Sequence, residues 1–203
     1  MGTGGDEAVE FRLLGGVEAV VGGRPLDLGH ARQRCVLAAL LVQVNRPLPV
    51  DQLVHRVWGD HPPRRARDTL YGYLSRLRAA LAHGGVGPAI VRRPDGYTLT
   101  TDALDVDLHR FRDLVGRARA TEEDERAADL FEQAIGLWHG EPFGTLESLW
   151  LDTLRPALHH ERLAAELDRN DVALRRGRHR EQLAELRARA REHPPWTSAW
   201  PDI

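Results

Sequence analysis

The sequence predicts a mainly α-helical protein with small β elements, divided into two domains. Three observations support this prediction. Apolar and polar residues alternate around glycine pairs near the N-terminus, a pattern typical of short antiparallel strands. Apolar residues recur at helical spacing from residue 105 onward. Eleven arginines stand against four acidic residues between positions 30 and 98, whereas positions 102–203 carry a net charge of −6, which indicates two separate units.

The composition excludes several protein classes. The single cysteine, Cys35, lies in an apolar run, so no disulfide is expected and a reducing compartment fits. No apolar run approaches the roughly 20 residues that span a bilayer, and the first fifteen residues lack the basic and apolar stretches of a secretory signal. We therefore expect a soluble, cytoplasmic protein with no membrane partner. All 28 basic residues are arginine, so only their placement is informative.

The first predicted elements are two or three short strands followed by two helices. The strands fall in VEFRLLGGVEAVVGGRPLDLG, with tight turns predicted at the glycine pairs 15–16 and 22–23. In HARQRCVLAALLVQVN, apolar residues occupy nearly every side, so this helix is predicted to be central and buried. VDQLVHRVWGD places its apolar residues on one side of a second, shorter helix, which ends at Gly59 before the proline-rich loop DHPPRR.

The third predicted helix, within PPRRARDTLYGYLSRLRAAL, has a distinctive outward side. Its buried stripe is formed by residues at helical spacing: Leu70, Tyr73, Leu74, Leu77 and Leu81. Small and basic residues form the outward side: Thr69, Gly72, Ser75, Arg76 and Ala79. Arg65 and Arg67 stand at the beginning of this helix, and Arg78 lies on its flank. On an isolated helix such arginines would indicate only a solvated face, so the interpretation depends on the neighbouring elements.

A β-hairpin is predicted directly after this helix. IVRRPDGYTLT contains two β-rich runs around Pro94, Asp95 and Gly96, a combination suited to a tight turn. Arg92 and Arg93 fall at the tip of this hairpin. The predicted elements have the order of a winged helix-turn-helix domain of the response-regulator output type: strands, a buried helix, a short helix, a slim basic helix and a hairpin.

This order of elements predicts a DNA-binding domain. A helix enters the major groove where its outer face is slim enough to approach the base edges, and the small residues of the third helix satisfy that condition. Arginines on that helix are predicted to reach phosphate or guanine, and those of the hairpin to reach the neighbouring backbone or minor groove. The predicted DNA-contacting residues are Arg32, Arg34, Arg65, Arg67, Thr69, Gly72, Ser75, Arg76, Arg78, Arg92 and Arg93.

The remaining predicted elements are all helical. Two helices with one apolar face each are predicted in DLHRFRDLVGRARA and EEDERAADLFEQAIGLWHGEPF. One or two long helices follow at residues 149–174, and the last helix is predicted in RGRHREQLAELRARAREHP. Antiparallel helices of this kind predict a short TPR-like array. We therefore expect a disordered start at residues 1–9, a DNA-binding domain at 10–101, a helical domain at 105–195 and a tail at 196–203.

These residues resemble a known family. FRLLGGVEAVVGGRPLDLG, QR before an aliphatic helix, VWGDHPP, YLSRLRAAL and RRPDGY fall in the order found in Streptomyces antibiotic regulatory proteins, and the second half is similar to the bacterial transcriptional activator domain of that family. The resemblance implies an activator of an antibiotic or other secondary-metabolite gene cluster. Such a protein binds direct repeats of double-stranded DNA near promoters, pairs as a homodimer there and recruits RNA polymerase. The recognition helix would be residues 67–82 and the wing residues 90–100.

The resemblance also assigns the loop at residues 58–65 to polymerase contact, through Trp58, Asp60, His61 and Arg64. Arg64 and Arg65 fit a DNA phosphate and polymerase equally well.

Two features depart from the family pattern. Pro49 stands where a serine usually caps the second helix, a change worth about 1 kcal/mol. The helical domain stops one helix pair early, so Trp196 and Trp200 are expected to cover its last helices.

Other functions stay open at this point. The N-terminal domain could bind a partner protein instead of DNA, or the protein could occupy DNA as a decoy without activating transcription. A metal site is not expected, because His139, His159 and His160 lack helical i,i+4 spacing and a cysteine partner. HGGVGPA lacks the Lys-Ser/Thr of a phosphate-binding loop, and no catalytic triad or carboxylate pair is indicated. We therefore predict no cofactor and no enzymatic activity.

Overall fold

Six α-helices and two small antiparallel sheets make up residues 9–83 and 89–177, the part of the chain that the computed structural model describes. The strands are β1 Val9–Arg12, β2 Glu18–Val21, β3 Arg24–Pro25, β4 Ala89–Arg93 and β5 Gly96–Thr100. The helices are α1 Ala31–Val42, α2 Val50–Trp58, α3 Ala66–His83, α4 Asp107–Ala120, α5 Asp124–Ile135 and α6 Leu149–Arg175. A 3₁₀ turn, Ala103–Asp105, precedes α4. The predicted class, mainly helical with small β elements, is confirmed.

The first sheet joins β1, β2 and β3 in sequence order, each antiparallel to the next. Val9 pairs with Val21, and the pairing of β1 with β2 spans four residues. The connection from β2 to β3 passes through Gly22 and Gly23, whose φ angles of 55° and 78° lie in the region that glycine adopts without steric cost. The predicted strands and this predicted turn are therefore confirmed.

The prediction of a tight turn at the other glycine pair, 15–16, is wrong. Residues 13–17 form a longer connection between β1 and β2. A Cβ atom on Gly15 would lie 3.3 Å from the Cβ of His139, and one on Gly144 would lie 3.2 Å from the Cα of Gly16. Small residues are needed here because His139 and the backbone of Gly144 pack against the connection.

α1 is the centre of the N-terminal half. Residues 35–41 are each at most 2% exposed, so the helix is buried on nearly all sides, as predicted. Burial also raises the pKa of the Cys35 thiol. α2 buries Leu53 and Val57, and Pro49 occupies its N-cap position without a side-chain hydrogen bond, as expected. α1 thus forms the support on which α2, α3 and the second sheet are placed.

The two halves of the chain meet at the end of β1. The buried carboxylate of Asp107, at the start of α4, accepts hydrogen bonds from the backbone N–H groups of Leu13 (2.8 and 2.9 Å) and Leu14 (2.9 Å). Burial raises the pKa of Asp107 to about 6, against the opposing effect of these bonds and of one from α4 itself. The carbonyls of Leu13 and Leu14 in turn accept from the N–H groups of Phe143 and His139, both at 2.8 Å.

A second junction joins α2 to the beginning of α6. The hydroxyl of Ser148 donates to the carbonyl of Arg56 at 2.5 Å. The guanidinium of Arg56 lies 4.5 Å from the ring centroid of Trp150, a cation–π contact. One continuous set of buried residues runs through both halves. The two sequence domains therefore share a packed boundary, and their limits at residues 10–101 and 105–195 remain predictions.

α4, α5 and α6 pack together through the apolar faces that the sequence predicted. The buried members of α4 are Leu108, Phe111, Leu114 and Val115, and those of α5 are Ala127, Leu130, Phe131 and Ala134. α5 ends at Ile135, so Trp138, which was expected on this helix, follows it but is still buried. Cross-helix ion pairs join Arg112 to Glu161 (2.8 Å), Arg119 to Asp168 (2.6 Å) and Arg175 to Asp124 (2.8 Å).

The long helix expected at residues 149–174 is a single helix, α6. The predicted last helix and the predicted cover by Trp196 and Trp200 lie outside the described residues, as do residues 1–8. Within residues 9–83 and 89–177, no helix has the length and apolarity needed to cross a membrane.

Candidate nucleic-acid interface

The outward side of α3 is built from short side chains. The predicted buried stripe is confirmed, because its members are each at most 9% exposed: Leu70, Tyr73, Leu74, Leu77 and Leu81. On the opposite side Ser75, Arg76 and Ala79 are exposed, and Thr69 and Gly72 are half-buried. The outward side of α3 therefore carries short side chains over most of its length, apart from the guanidinium of Arg76. We call this side the slim face; its residues are Thr69, Gly72, Ser75, Arg76 and Ala79.

Arg76 lies along the helix surface. Its Nε atom donates to the carbonyl of Gly72 at 3.2 Å, and its guanidinium lies 5.4 Å from the ring centroid of Tyr73. Tyr73 is itself stacked on Trp58, with ring centroids 6.1 Å apart, so it is a core residue, as predicted. Arg76 remains exposed in this position.

The second sheet is the predicted hairpin of β4 and β5. Arg93 pairs with Gly96 and Arg92 with Tyr97, so Pro94 and Asp95 form the turn and both arginines lie at its end. Arg92 and Arg93 are exposed, and their side chains make no hydrogen bond or ion pair with any described residue. Two cationic side chains are thus available for an anionic partner at one tip.

The hairpin is fixed against the loop between α1 and α2. Tyr97 and Leu48 exchange two backbone hydrogen bonds, of 3.0 and 2.8 Å. Gly96 has φ 146°, and a Cβ atom there would lie 2.1 Å from the carbonyl oxygen of Leu48. On the other side of this contact, the side-chain amide of Asn45 donates to the carbonyl of Thr101 at 2.8 Å and accepts from the N–H of Thr101 at 3.2 Å. The position of the hairpin is therefore determined by backbone contacts along its whole second strand.

Arg78 connects α3 to the hairpin. Its Nε atom donates to the carbonyl of Ile90 in β4 at 2.6 Å, and its guanidinium lies 5.3 Å from the ring centroid of Tyr97 in β5. Arg78 is half-buried as a consequence. Arg78 therefore holds α3 at a fixed distance from the hairpin tip that carries Arg92 and Arg93. Any contact of Arg78 with a ligand would come in addition to this structural role.

The start of α3 and the preceding loop carry further arginines. Arg64 and Arg65 are exposed and have no side-chain hydrogen bond or ion pair among the described residues. Arg67 donates to the Asp51 carboxylate of α2 at 2.6 Å, an exposed ion pair that leaves its guanidinium at the surface. In the loop assigned to polymerase, Asp60 and His61 are exposed, whereas Trp58 is half-buried on Tyr73.

Two predicted DNA-contacting residues of α1 have other partners. The Nη1 atom of Arg32 donates to the carbonyls of Val57 (2.5 Å) and Glu147 (3.3 Å), so its guanidinium bridges the two halves of the chain. The Nε atom of Arg34 donates to the carbonyl of Gly29 at 2.9 Å. Both residues are exposed; Arg34 is retained in the interface proposed below, and Arg32 is left out because its guanidinium joins the two halves of the chain.

Tyr71 is a surface residue of α3 that the sequence interpretation did not single out. It is 39% exposed, and its ring centroid lies 6.3 Å from that of Tyr97. Helical spacing contained the necessary signal, because Tyr71 precedes the exposed Ser75 by four positions and shares its side of the helix. Aromatic residues on amphipathic helices are usually assigned to the core, which explains the omission.

Among the described residues, no three histidine, cysteine, aspartate or glutamate side chains are grouped closely enough to hold a metal ion. His159 instead contacts the carboxylate of Glu141 at 3.0 Å. Around α3 and the hairpin most of the exposed charged side chains are arginines, which bind anions, although Asp51, Asp68 and Asp95 lie among them.

Comparison with known proteins places these features in a family. Residues 106–200 match the family model of the bacterial transcriptional activator domain. The chain is 33% identical over 191 residues to the regulatory protein AfsR of Streptomyces griseus, covering 93% of this chain and 19% of AfsR. It is 28% identical over 205 residues to the regulatory protein DnrI of Streptomyces peucetius, covering 95% of this chain and 75% of DnrI.

A solved structure has a similar fold. Mycobacterium tuberculosis EmbR, in complex with a low-affinity phosphopeptide, superposes with a TM-score of 0.86 at 31% identity, covering 93% of this chain and 51% of that one. The chain thus spans about half of EmbR and about a fifth of AfsR. Residues 106–200 thus match a bacterial transcriptional activator domain, and nearly the whole chain is similar to the regulatory proteins AfsR and DnrI, in agreement with its resemblance to Streptomyces antibiotic regulatory proteins.

Proposed function

We propose that this protein is a sequence-specific DNA-binding transcriptional activator. Its N-terminal half acts as a winged helix-turn-helix, with α3 lying in the major groove and the β4–β5 hairpin serving as the wing. The α4–α6 region acts as a TPR-like activator domain. The observation that carries the proposal is the juxtaposition of the slim face of α3 with a hairpin whose two tip arginines have no partner among the described residues.

The shape and charge of this surface suit a duplex. The major groove admits an α-helix, and the short side chains of Gly72, Ser75 and Ala79 would let the backbone of α3 come close to the base edges. Arg92 and Arg93 then lie one element away, where the adjacent phosphate backbone would run. The surface residues of the proposed interface are Arg34, Arg65, Arg67, Thr69, Gly72, Ser75, Arg76, Arg78, Arg92 and Arg93.

Activation requires a second contact, which we assign to the loop at residues 58–65. Trp58 anchors the start of this loop on Tyr73, while Asp60, His61 and Arg64 are exposed. These side chains would meet RNA polymerase bound at the neighbouring promoter. We propose that the protein binds direct repeats as a homodimer and controls a secondary-metabolite gene cluster, because its relatives AfsR and DnrI are regulatory proteins of Streptomyces.

The first experiment determines whether DNA is the ligand. Selection from a randomised duplex pool should enrich one motif with the wild-type chain. Affinity for that motif should fall steeply with salt, with a contribution of about −0.9 to the slope of log K against log salt for each phosphate neutralised. Failure of wild type to enrich any sequence would refute the proposal and favour the protein-interaction alternative.

A matched pair of double variants locates the interface. R92A/R93A should make the salt slope shallower by about 1.8 if each arginine neutralises one phosphate. R110A/R126A removes the same charge from exposed positions on α4 and α5 and should leave the slope unchanged. Equal effects of the two double variants would contradict the assigned surface, since only the net charge of the protein would then matter.

The activator role needs its own measurement. In-vitro transcription from a promoter carrying the selected motif should rise with wild-type protein. R64A should reduce this activation while leaving DNA affinity within about two-fold, since a lost surface contact to polymerase does not alter phosphate binding. DNA binding without any rise in transcription would identify a decoy.

A further inference from the structure

Tyr71 is the exposed aromatic residue of α3, beside a helix face made mostly of short side chains. Gly72, Ser75 and Ala79 on the outward side of α3 have small side chains or none, whereas Tyr71, at the edge of that side next to the hairpin, carries an aromatic ring. It is 39% exposed although it is aromatic. Resting on the function proposed above, we propose that Tyr71 is a specificity-determining residue that contacts the C5 methyl group of a thymine in the major groove.

The position of Tyr71 in the helix suits base contact. It lies in the second turn of α3, which begins at Ala66, and recognition helices contact base edges mainly through their N-terminal residues. Tyr71 and Ser75 are one turn apart on the same side, so a duplex that approaches Ser75 also meets the phenol ring. No other large apolar side chain is exposed on α3.

The ring is also held in place before any ligand binds. Its centroid lies 6.3 Å from that of Tyr97, with the ring planes inclined by 51°. Tyr97 is buried, is bonded through its backbone to Leu48, and lies under the guanidinium of Arg78. Because one side of Tyr71 packs on this fixed group, less side-chain freedom is lost when the opposite side contacts a base.

The chemistry of the exposed part favours a thymine methyl group. An aromatic ring is an apolar surface, and the methyl group of thymine is the apolar feature displayed in the major groove. The arginines around α3 carry full positive charge, so they bind phosphate more strongly than a neutral phenol ring does. A phenol hydroxyl bound to phosphate would instead lower affinity equally for all sequences when removed, and the two cases can be distinguished.

The test replaces single thymines by uracil in the duplex motif selected by wild-type protein. Uracil lacks only the methyl group, so wild type should lose about four-fold in affinity at one position, the value expected for one apolar carbon group. Y71F keeps the ring and should show the same loss. Y71A should bind the thymine and uracil duplexes equally, and its own selected motif should lose the thymine preference at that position.

Controls separate this role from a structural one. L104A removes another exposed apolar side chain, on the 3₁₀ turn, and should retain the uracil effect. If Y71A unfolds, Y71Q keeps a long side chain at this position but removes the apolar ring, and it should likewise bind the thymine and uracil duplexes equally. The proposal is overturned if no thymine-to-uracil change affects wild type, if Y71A keeps the effect, or if Y71A weakens all duplexes equally. If wild type enriches no sequence, the proposed function itself fails.

Discussion

Replacing Gly96 by alanine tests how the hairpin is fixed. The new Cβ atom would lie 2.1 Å from the carbonyl oxygen of Leu48, 2.5 Å from its carbon and 2.8 Å from the nitrogen of Pro49. These atoms belong to the backbone and cannot rotate away. The φ of 146° adds strain for any residue with a side chain. The hairpin must therefore move away from the loop between α1 and α2.

The expected cost follows from the contacts that would be lost. A non-glycine residue in such a conformation costs about 1–3 kcal/mol. Separation of β5 from Leu48 removes the two backbone hydrogen bonds with Tyr97, each worth about 0.5–1.5 kcal/mol net. Together these effects should lower the free energy of unfolding by about 2–6 kcal/mol. Because the arginines at the tip move with the hairpin, DNA affinity should also fall.

Urea unfolding of three alanine variants separates the effects. Gly23 has φ 78° but no atom within 4 Å of the added Cβ, so G23A measures conformational strain without a clash. Gly116 lies in α4 with equally open space, and G116A should stabilise the protein by about 0.5–1 kcal/mol. The reasoning is refuted if G96A is no less stable than G23A, because the contact with Leu48 would then contribute nothing.

Two further predictions concern the packed boundary between the halves, and a third concerns the connection between α5 and α6. The pKa of Asp107, about 6, lies above its ordinary value of 3.8, so the folded state binds more protons between these values and the stability contributed by this group falls as pH rises through them. Relative to D107N, wild type should lose about 2 kcal/mol of unfolding free energy between pH 4 and pH 7; a pH-independent difference would contradict this. R32M should lower stability by about 1–2 kcal/mol in thermal unfolding, yet leave the salt slope of DNA binding unchanged. The side chain of Arg155 donates to the carbonyls of Pro142 and Leu146, so R155K should cost about 1–3 kcal/mol, measured in urea.

Local periodicity was sufficient to predict most of the N-terminal half. The stripe of α3 from Leu70 to Leu81 and the hairpin turn at Pro94 and Asp95 depend on residues within a few positions of one another. Each pattern allows one stable orientation of its element, because any other orientation would expose the leucines to water or bury the arginines. The same local signal identified the buried faces of α4 and α5.

Contacts between distant residues could not be predicted in this way. The carbonyls that accept from Arg32 are 25 and 115 positions away, so nothing near Arg32 indicates that its guanidinium is already occupied. The glycine pair 15–16 has the composition of a turn, but its small size serves a contact with His139. Asp107 looked like an ordinary acidic residue in the first turn of a helix, and its partners Leu13 and Leu14 lie in the other half of the chain.

The packed boundary has a consequence for how the two halves can act together. Gly59, at the end of α2, faces Leu149 at the start of α6, since a Cβ atom on Gly59 would lie 3.2 Å from the Cδ1 of that leucine. The adjoining Arg56 is held by Ser148 and Trp150. The loop proposed to meet polymerase begins at this point, whereas the slim face of α3 and the hairpin are positioned by Arg78 and by the loop between α1 and α2. Because α2 also contacts α3, through the stacking of Trp58 on Tyr73 and the ion pair of Asp51 with Arg67, α2 links the helical half both to the proposed polymerase loop and to the surface proposed to bind DNA.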